Sequence, residues 1–128
     1  MGACLLGDKV EQTLSAGTHA STFGGNPVCA AAAVAVLNQL TDELLSDVKK
    51  KGEYIKAELG ACPSVRRISG YGLMLGIETT KDARALVQTL LNKGVVTLTA
   101  KKKLRLLPPL TIPWEQLKQA VAVIKGEL

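Results

Sequence analysis

Aromatic side chains are nearly absent from this 128-residue chain. One Phe, one Trp and two Tyr make up 3% of it. A core therefore has to be assembled from Ala, Val, Leu and Ile, which the 47% hydrophobic content supplies. That content argues against a disordered chain, because enough apolar surface is available to offset the entropy of ordering. The shortage of aromatics also bears on partners. Sequence-tolerant binding of single-stranded nucleic acid stacks bases on aromatic rings, and neither basic–aromatic interleaving nor a recognised nucleic-acid module is present.

Histidine occurs once, at His19, and cysteine three times, at Cys4, Cys29 and Cys62. No Cys-x-x-Cys pair exists, so neither a metal site nor a disulfide framework is indicated. Three scattered cysteines fit reduced thiols in a cytoplasmic protein. No Ser-His-Asp or Cys-His set can be built around His19, which reads as a hydrogen-bonding loop residue. Long apolar runs are also lacking. Val28 to Leu37 covers about half of a membrane span. Met1 to Leu6 is too short for a signal peptide and has no basic leader, so no membrane partner is expected. That opening stretch reads as the end of a strand or loop begun earlier, hence as part of a fragment.

What the chain does have is positive charge: 16 basic against 11 acidic residues, a net +5. Much of the excess sits in Lys49-Lys50-Lys51 and Lys101-Lys102-Lys103. These triplets read as solvated faces and turns, with a polyanion-binding surface as the alternative.

The length suits one domain. Residues 15–26 are small, polar and glycine-containing, a loop composition. Asn26-Pro27 then supplies a helix start, Asn as N-cap and Pro in the first turn. The Ala-rich run Val28–Leu40 follows as a helix apolar on nearly every side, which predicts burial on several faces. Thr41-Asp42-Glu43 opens a second helix that ends at Gly60. Val65–Ile68 and Leu73–Glu78 read as paired strands joined across Ser69-Gly70-Tyr71-Gly72. Lys81–Lys93 reads as a helix, Val95–Thr99 and Leu104–Leu107 as two strands joined by the lysine turn, and Trp114–Lys125 as a closing helix. The order β-β-α-β-β-α gives an α+β fold: a small, largely antiparallel sheet with helices on one face, preceded by an Ala-rich linking helix.

Two segments could carry chemistry. In Gly17 to Pro27, the adjacent hydroxyls of Ser21 and Thr22 precede Gly24-Gly25 and a helix start. Hydroxyls, free backbone N–H groups and a helix N-terminus all favour a phosphate. No Gly-Lys-Ser/Thr follows, so this is not a P-loop, and an ordinary capped loop is the alternative. In Leu104 to Pro109, Arg105 interrupts an apolar strand and faces away from Leu104 and Leu106. It could offer a bidentate fork to a carboxylate, or serve as a structural ion-pair residue. The glycines at 70, 72 and 76 do not have dinucleotide-site spacing and read as tight turns and close backbone packing.

In this order, Thr18-His19-Ala20-Ser21-Thr22-Phe23-Gly24-Gly25-Asn26-Pro27, Gly72-Leu73-Met74-Leu75-Gly76-Ile77-Glu78 and Leu104-Arg105-Leu106-Leu107-Pro108-Pro109-Leu110 resemble class III (ornithine-type) pyridoxal-phosphate aminotransferases, most nearly their acetylornithine branch. The resemblance covers essentially the whole chain. It implies the C-terminal small domain of a fold-type I enzyme, with residues 1–26 ending the large-domain segment, 27–60 as linking helices and 61–128 as the α+β domain. It implies a homodimeric transaminase of arginine biosynthesis, moving an amino group from N-acetylornithine or a related ω-amine to 2-oxoglutarate. Thr22 would hold the phosphate of pyridoxal 5'-phosphate bound in the neighbouring subunit. Ser21 would lie beside the cofactor and near substrate, and Arg105 would grip a substrate carboxylate. The family's Schiff-base lysine lies just before the segment matching Met1 to Cys4. No catalytic residue is therefore assigned here, and the isolated chain is expected to be inactive. Ornithine or 4-aminobutyrate transamination, and a stand-alone anion-binding module, are the competing readings.

Overall fold

A computed structural model describes residues 2–128, which divide into two compact units, one ending at Thr41 and the other spanning Asp42–Leu128. The first unit is mostly turns followed by helix α1, Pro27–Leu37. Asn26 is its N-cap: the side-chain Oδ1 accepts from the backbone N–H groups of Val28 at 3.0 Å and Cys29 at 3.1 Å. Pro27 stands in the first turn, where its missing N–H costs no hydrogen bond. The start is where the sequence places it, but the burial is not. No residue of α1 is buried within this chain, and Val28, Val34, Val36 and Leu37 are all exposed. Of the stretch Met1–Leu6, Met1 lies outside the described residues, and residues 2–6 form no strand.

The second unit contains helices α2 (Asp42–Gly60), α3 (Ala83–Asn92) and α4 (Trp114–Glu127) and strands β1 (Val65–Tyr71), β2 (Met74–Thr79), β3 (Leu98–Ala100) and β4 (Lys103–Leu106). The strands form one antiparallel sheet in the order β1-β2-β4-β3. Strand alternation sends Leu75 and Ile77 of β2 and Leu104 and Leu106 of β4 to one face, where they join Ile55 and Leu59 of α2, Leu90 of α3, and Leu117, Val121 and Ile124 of α4 in a single core. This is the α+β arrangement expected. Each fully buried Leu or Ile contributes about 1.5–3 kcal/mol relative to exposure. Helix α2, read from sequence as one of two linking helices, belongs to this unit and supplies part of its core.

Three local readings change. Ser69, Gly70 and Tyr71 do not form the connection between β1 and β2. They pair with Gly76, Leu75 and Met74, and the chain reverses at Gly72-Leu73. The Val95–Thr99 strand shrinks to Leu98–Ala100, because Val95 is used to stop α3: its N–H donates to the Leu90 carbonyl at 2.9 Å. Lys51 is not solvated. It is buried, and its Nζ lies 2.6 Å from the Asp47 carboxylate and 5.8 Å from the centre of the Trp114 ring.

Trp114 Nε1 donates to the same Asp47 carboxylate at 2.8 Å, and the Trp114 ring meets Tyr54 edge-on at 5.8 Å. This set ties α2 to the start of α4. The hydrogen bonds from Lys51 and then Trp114 hold the Asp47 carboxyl below the ordinary Asp value. Gly52, one residue further on, lets α2 close onto the β1–β2 turn. A Cβ there would stand 2.4 Å from the Gly72 carbonyl oxygen.

Candidate functional site

The two segments marked in the sequence lie in different units, and each has its own local geometry. In the first unit the loop before α1 is a series of turns. Thr18 is committed to its own turn: its Oγ1 donates to the Ser15 carbonyl at 2.7 Å and accepts from the Ser15 N–H at 3.2 Å. The next turn closes from the Gly24 N–H to the Ser21 carbonyl at 3.1 Å, and another from the Asn26 N–H to the Phe23 carbonyl at 3.3 Å. Ser21 and Thr22 occupy the start of this pair of turns, both exposed, with Gly25 in a left-handed conformation at φ 69° just before the helix.

The helix mouth itself is less open than the sequence suggests. The Val28 and Cys29 N–H groups already donate to Asn26, and Pro27 has none to offer. An anion here would be held by the Ser21 and Thr22 hydroxyls and by loop N–H groups, with the helix dipole adding a field of roughly 0.3–1 kcal/mol. That donor set fits a phosphate group. His19 is exposed in the same loop.

In the second unit Arg105 sits in the middle of β4, half-buried, between Leu104 and Leu106 of the core. Its partners across the sheet are Gly76 on β2 and Leu98 on β3, and Ser69 of β1 stands opposite Gly76. The row Ser69-Gly76-Arg105-Leu98 therefore crosses the sheet on the face away from the core, with Arg105 beside a residue that has no side chain. Lys103 flanks the row. Its Nζ donates to Ser69 Oγ at 3.1 Å, and Ser69 Oγ donates to the Gly76 carbonyl at 3.3 Å. Arg105 Nε is buried and has no hydrogen-bond partner. None of the salt bridges among the described residues involves Arg105. A guanidinium on a strand with an unsatisfied buried donor has hydrogen-bonding capacity that a planar anion could take up.

The sequence matches the class-III aminotransferase family over residues 1–128. The chain belongs to that family. It is 48% identical over 126 residues to the acetylornithine aminotransferase of Haemophilus ducreyi, covering 97% of this chain and 32% of that protein. Against the acetylornithine aminotransferase of Bacillus cereus the identity is 39% over 131 residues, covering 98% and 34%. Among solved structures, the ornithine delta-aminotransferase of Plasmodium falciparum superposes with a TM-score of 0.80 at 33% identity, covering 95% of this chain and 34% of that one. The acetylornithine aminotransferase of Elizabethkingia anophelis gives 0.76 at 31%, covering 88% and 31%. The chain thus spans about a third of the length of the relatives it matches. Class-III aminotransferases are pyridoxal-phosphate enzymes, and the small-domain α+β fold seen here is theirs.

A nucleophilic amine is favoured by desolvation without a counter-ion or by a neighbouring cation. Among the described residues Lys51 is the only buried lysine, and it is ion-paired to Asp47. Lys56, Lys93 and Lys125 pair with carboxylates, Lys81 donates to the Glu127 carbonyl, and Lys103 donates to Ser69. Lys9, Lys49, Lys50, Lys101, Lys102 and Lys118 are exposed.

Proposed function

We propose that this chain supplies the anion-holding C-terminal part of an aminotransferase that moves an amino group from N-acetylornithine, or a related ω-amine, to 2-oxoglutarate. The single observation that carries the reading is Arg105, a fixed guanidinium with an unpartnered buried Nε on a sheet face beside a glycine. Its role is to orient a substrate carboxylate. A charge-assisted hydrogen bond of that kind contributes about 1.5–3 kcal/mol. Thr22 and Ser21 would hold the phosphate of pyridoxal 5'-phosphate, with Thr22 acting across the interface of a homodimer and Ser21 also near the substrate. A bound cofactor would supply the electron sink for proton loss from the carbon that bears the transferred amino group. The amine that carries the cofactor would come from outside this chain, so the 128 residues alone have no catalytic residue and no activity.

The reading divides the chain into residues 1–26 bearing the phosphate loop, the linking helices of 27–60, the second of which packs into the core of the α+β domain, and the rest of that domain, 61–128. The names of the Haemophilus ducreyi and Bacillus cereus relatives support N-acetylornithine as donor, and with it a place in arginine biosynthesis. A cytoplasmic setting is supported by three free cysteines. The exposed apolar residues of α1 support a covering partner surface in the complete enzyme.

The test uses a chain of full family length that carries this segment. Thr22→Ala is expected to raise the Kd for pyridoxal phosphate about tenfold, the loss of one charge-assisted hydrogen bond. Unchanged affinity would remove Thr22 from this role. Comparing N-acetylornithine with ornithine and 4-aminobutyrate as donors, by kcat/KM, ranks the substrates, and a preference for 4-aminobutyrate would overturn the donor assignment.

A further inference from the structure

We propose that the concavity at one end of the sheet, lined by Arg66, Lys101, Lys102 and Lys103, is a binding site for a compact, multiply charged phosphate anion of the pyrophosphate class. The cleft holds about 700 Å³, and its remaining lining is Glu78, Thr79 and Ala100. That volume lies within the range of small-ligand sites. It forms where the start of β1, the end of β2 and the β3–β4 hairpin come together. The proposal stands independently of the aminotransferase reading.

Charge is the first argument. Four cations less the one carboxylate of Glu78 leave the lining at +3. Elsewhere in this unit four lysines form ion pairs: Lys51 with Asp47, Lys56 with Glu53, Lys93 with Glu127 and Lys125 with Glu58. None of the four lining cations forms an ion pair among the described residues. Gathering like charges in a concavity without counter-charges is unfavourable for the empty protein and favourable for an anion that enters it.

Backbone conformation is the second. Lys101 is the one non-glycine residue among those described with a positive φ, at 57°. Glycine adopts that conformation without a steric penalty and lysine does not. A hairpin that had only to turn would be better served by glycine or asparagine at this position. Lys101 thus combines a strained backbone position with a place in the lining of the cleft. Lys103 is held as well, since its Nζ donates to Ser69 Oγ at 3.1 Å.

The composition of the lining selects the ligand. Arg66 offers a planar fork that matches phosphate oxygens, and the lysines act as point charges around it. No aromatic ring lines the cleft, so nothing is available to stack a nucleobase. The geometry points to the phosphate groups themselves, whether free or as the tail of a nucleotide.

Isothermal titration of the 128-residue chain with pyrophosphate tests this. One saturable site is expected, weakening as salt is added. Replacing Arg66 and Lys102 together by serine should weaken binding about tenfold, each exposed charge contributing a few-fold. Lys101→Gly should weaken it about threefold while raising the melting temperature by about 2–4 °C, because the strained backbone is relieved. Removing the same charge from helix α2 with Lys49→Ser and Lys50→Ser should leave the affinity within about twofold. All these side chains are exposed, and circular dichroism verifies that each variant is folded. A nucleoside diphosphate should bind about as well as pyrophosphate. The proposal is overturned by the absence of saturation, by an equal loss in the Lys49/Lys50 variant, or by a single-stranded oligonucleotide displacing pyrophosphate from the cleft.

Discussion

Gly70→Ala is expected to unfold the sheet-bearing unit at urea concentrations the parent chain withstands, lowering the midpoint by about 2 M. Gly70 lies within β1, paired with Leu75, at φ 127°. A Cβ at this position would stand 2.0 Å from the Met74 carbonyl oxygen and 3.1 Å from the Leu75 Cα. Both are backbone atoms of the paired strand, so no rotamer change relieves the overlap. Either the hairpin opens or the strand twists out of register, and Leu75 and Ile77 leave the core with it. Backbone strain and overpacking together cost about 3 kcal/mol or more, which at the m-values of small domains corresponds to the stated midpoint shift. Gly76→Ala is the control. Its Cβ would meet only the Lys103 side chain at 3.4 Å and Ser69 Oγ at 3.6 Å, groups that can move. A loss within about 1 kcal/mol is expected there. Equal midpoints for the two variants would show that the close approach at Gly70 is not what holds β1 and β2 together.

Arg105→Ala, made in a chain of full family length, is expected to lower kcat/KM for 2-oxoglutarate by about a hundredfold, mostly through KM. The side chain sits in the sheet-crossing row Ser69-Gly76-Arg105-Leu98, and its Nε is buried without a partner. Two parallel hydrogen bonds to a carboxylate, each charge-assisted, account for a loss of that size. Arg105→Lys should recover only part of it, because an ammonium group cannot form the planar fork. Stability separates this role from a structural one. Since Arg105 forms no salt bridge among the described residues, the melting temperature of the alanine variant should be unchanged or slightly higher. A large drop in melting temperature with unaltered KM would make Arg105 a structural residue.

The residues that carry these predictions differ in how far they were visible in the sequence. The Asn26-Pro27 start was legible because its chemistry is local: a capping side chain followed by a residue with no N–H to satisfy. The β1–β2 pairing was legible from two short apolar runs, but its turn was misplaced by three residues. Glycine at 70 looked like punctuation, whereas it serves a positive-φ position within β1 at a close approach to β2. The β3 strand was overextended because Val95 and Val96 have strand composition. The stop of α3 claims Val95 instead, and only three residues remain to pair with β4.

Lys51 shows how a composition argument can fail where spacing would have succeeded. In a run of three lysines it looked solvated. Yet Val48, Lys51, Ile55 and Leu59 recur at helical spacing and share the buried stripe of α2. Its charge is tolerated there because Asp47 and Trp114 meet it, and a tryptophan 63 positions away gave no local sign of that. The opposite error concerns α1. Its Ala-rich, nearly uniform apolarity implied burial, and no residue of it is buried within this chain. Apolar periodicity records that a surface is meant to be covered and is silent on which chain covers it. The same limit applies to Ser21, Thr22 and Arg105. Their local chemistry could be read directly, while any partners they meet beyond their own unit are a matter of tertiary and quaternary placement.

The reaction of the 128-residue chain with pyridoxal phosphate, followed by borohydride reduction and peptide mass spectrometry, addresses the central claim most directly. That claim is that these residues grip anions but do not provide the reactive amine. The expected result is low, scattered labelling spread over the exposed lysines, with no site preferred and no turnover of N-acetylornithine. Stoichiometric labelling of one defined lysine, accompanied by transamination, would contradict it.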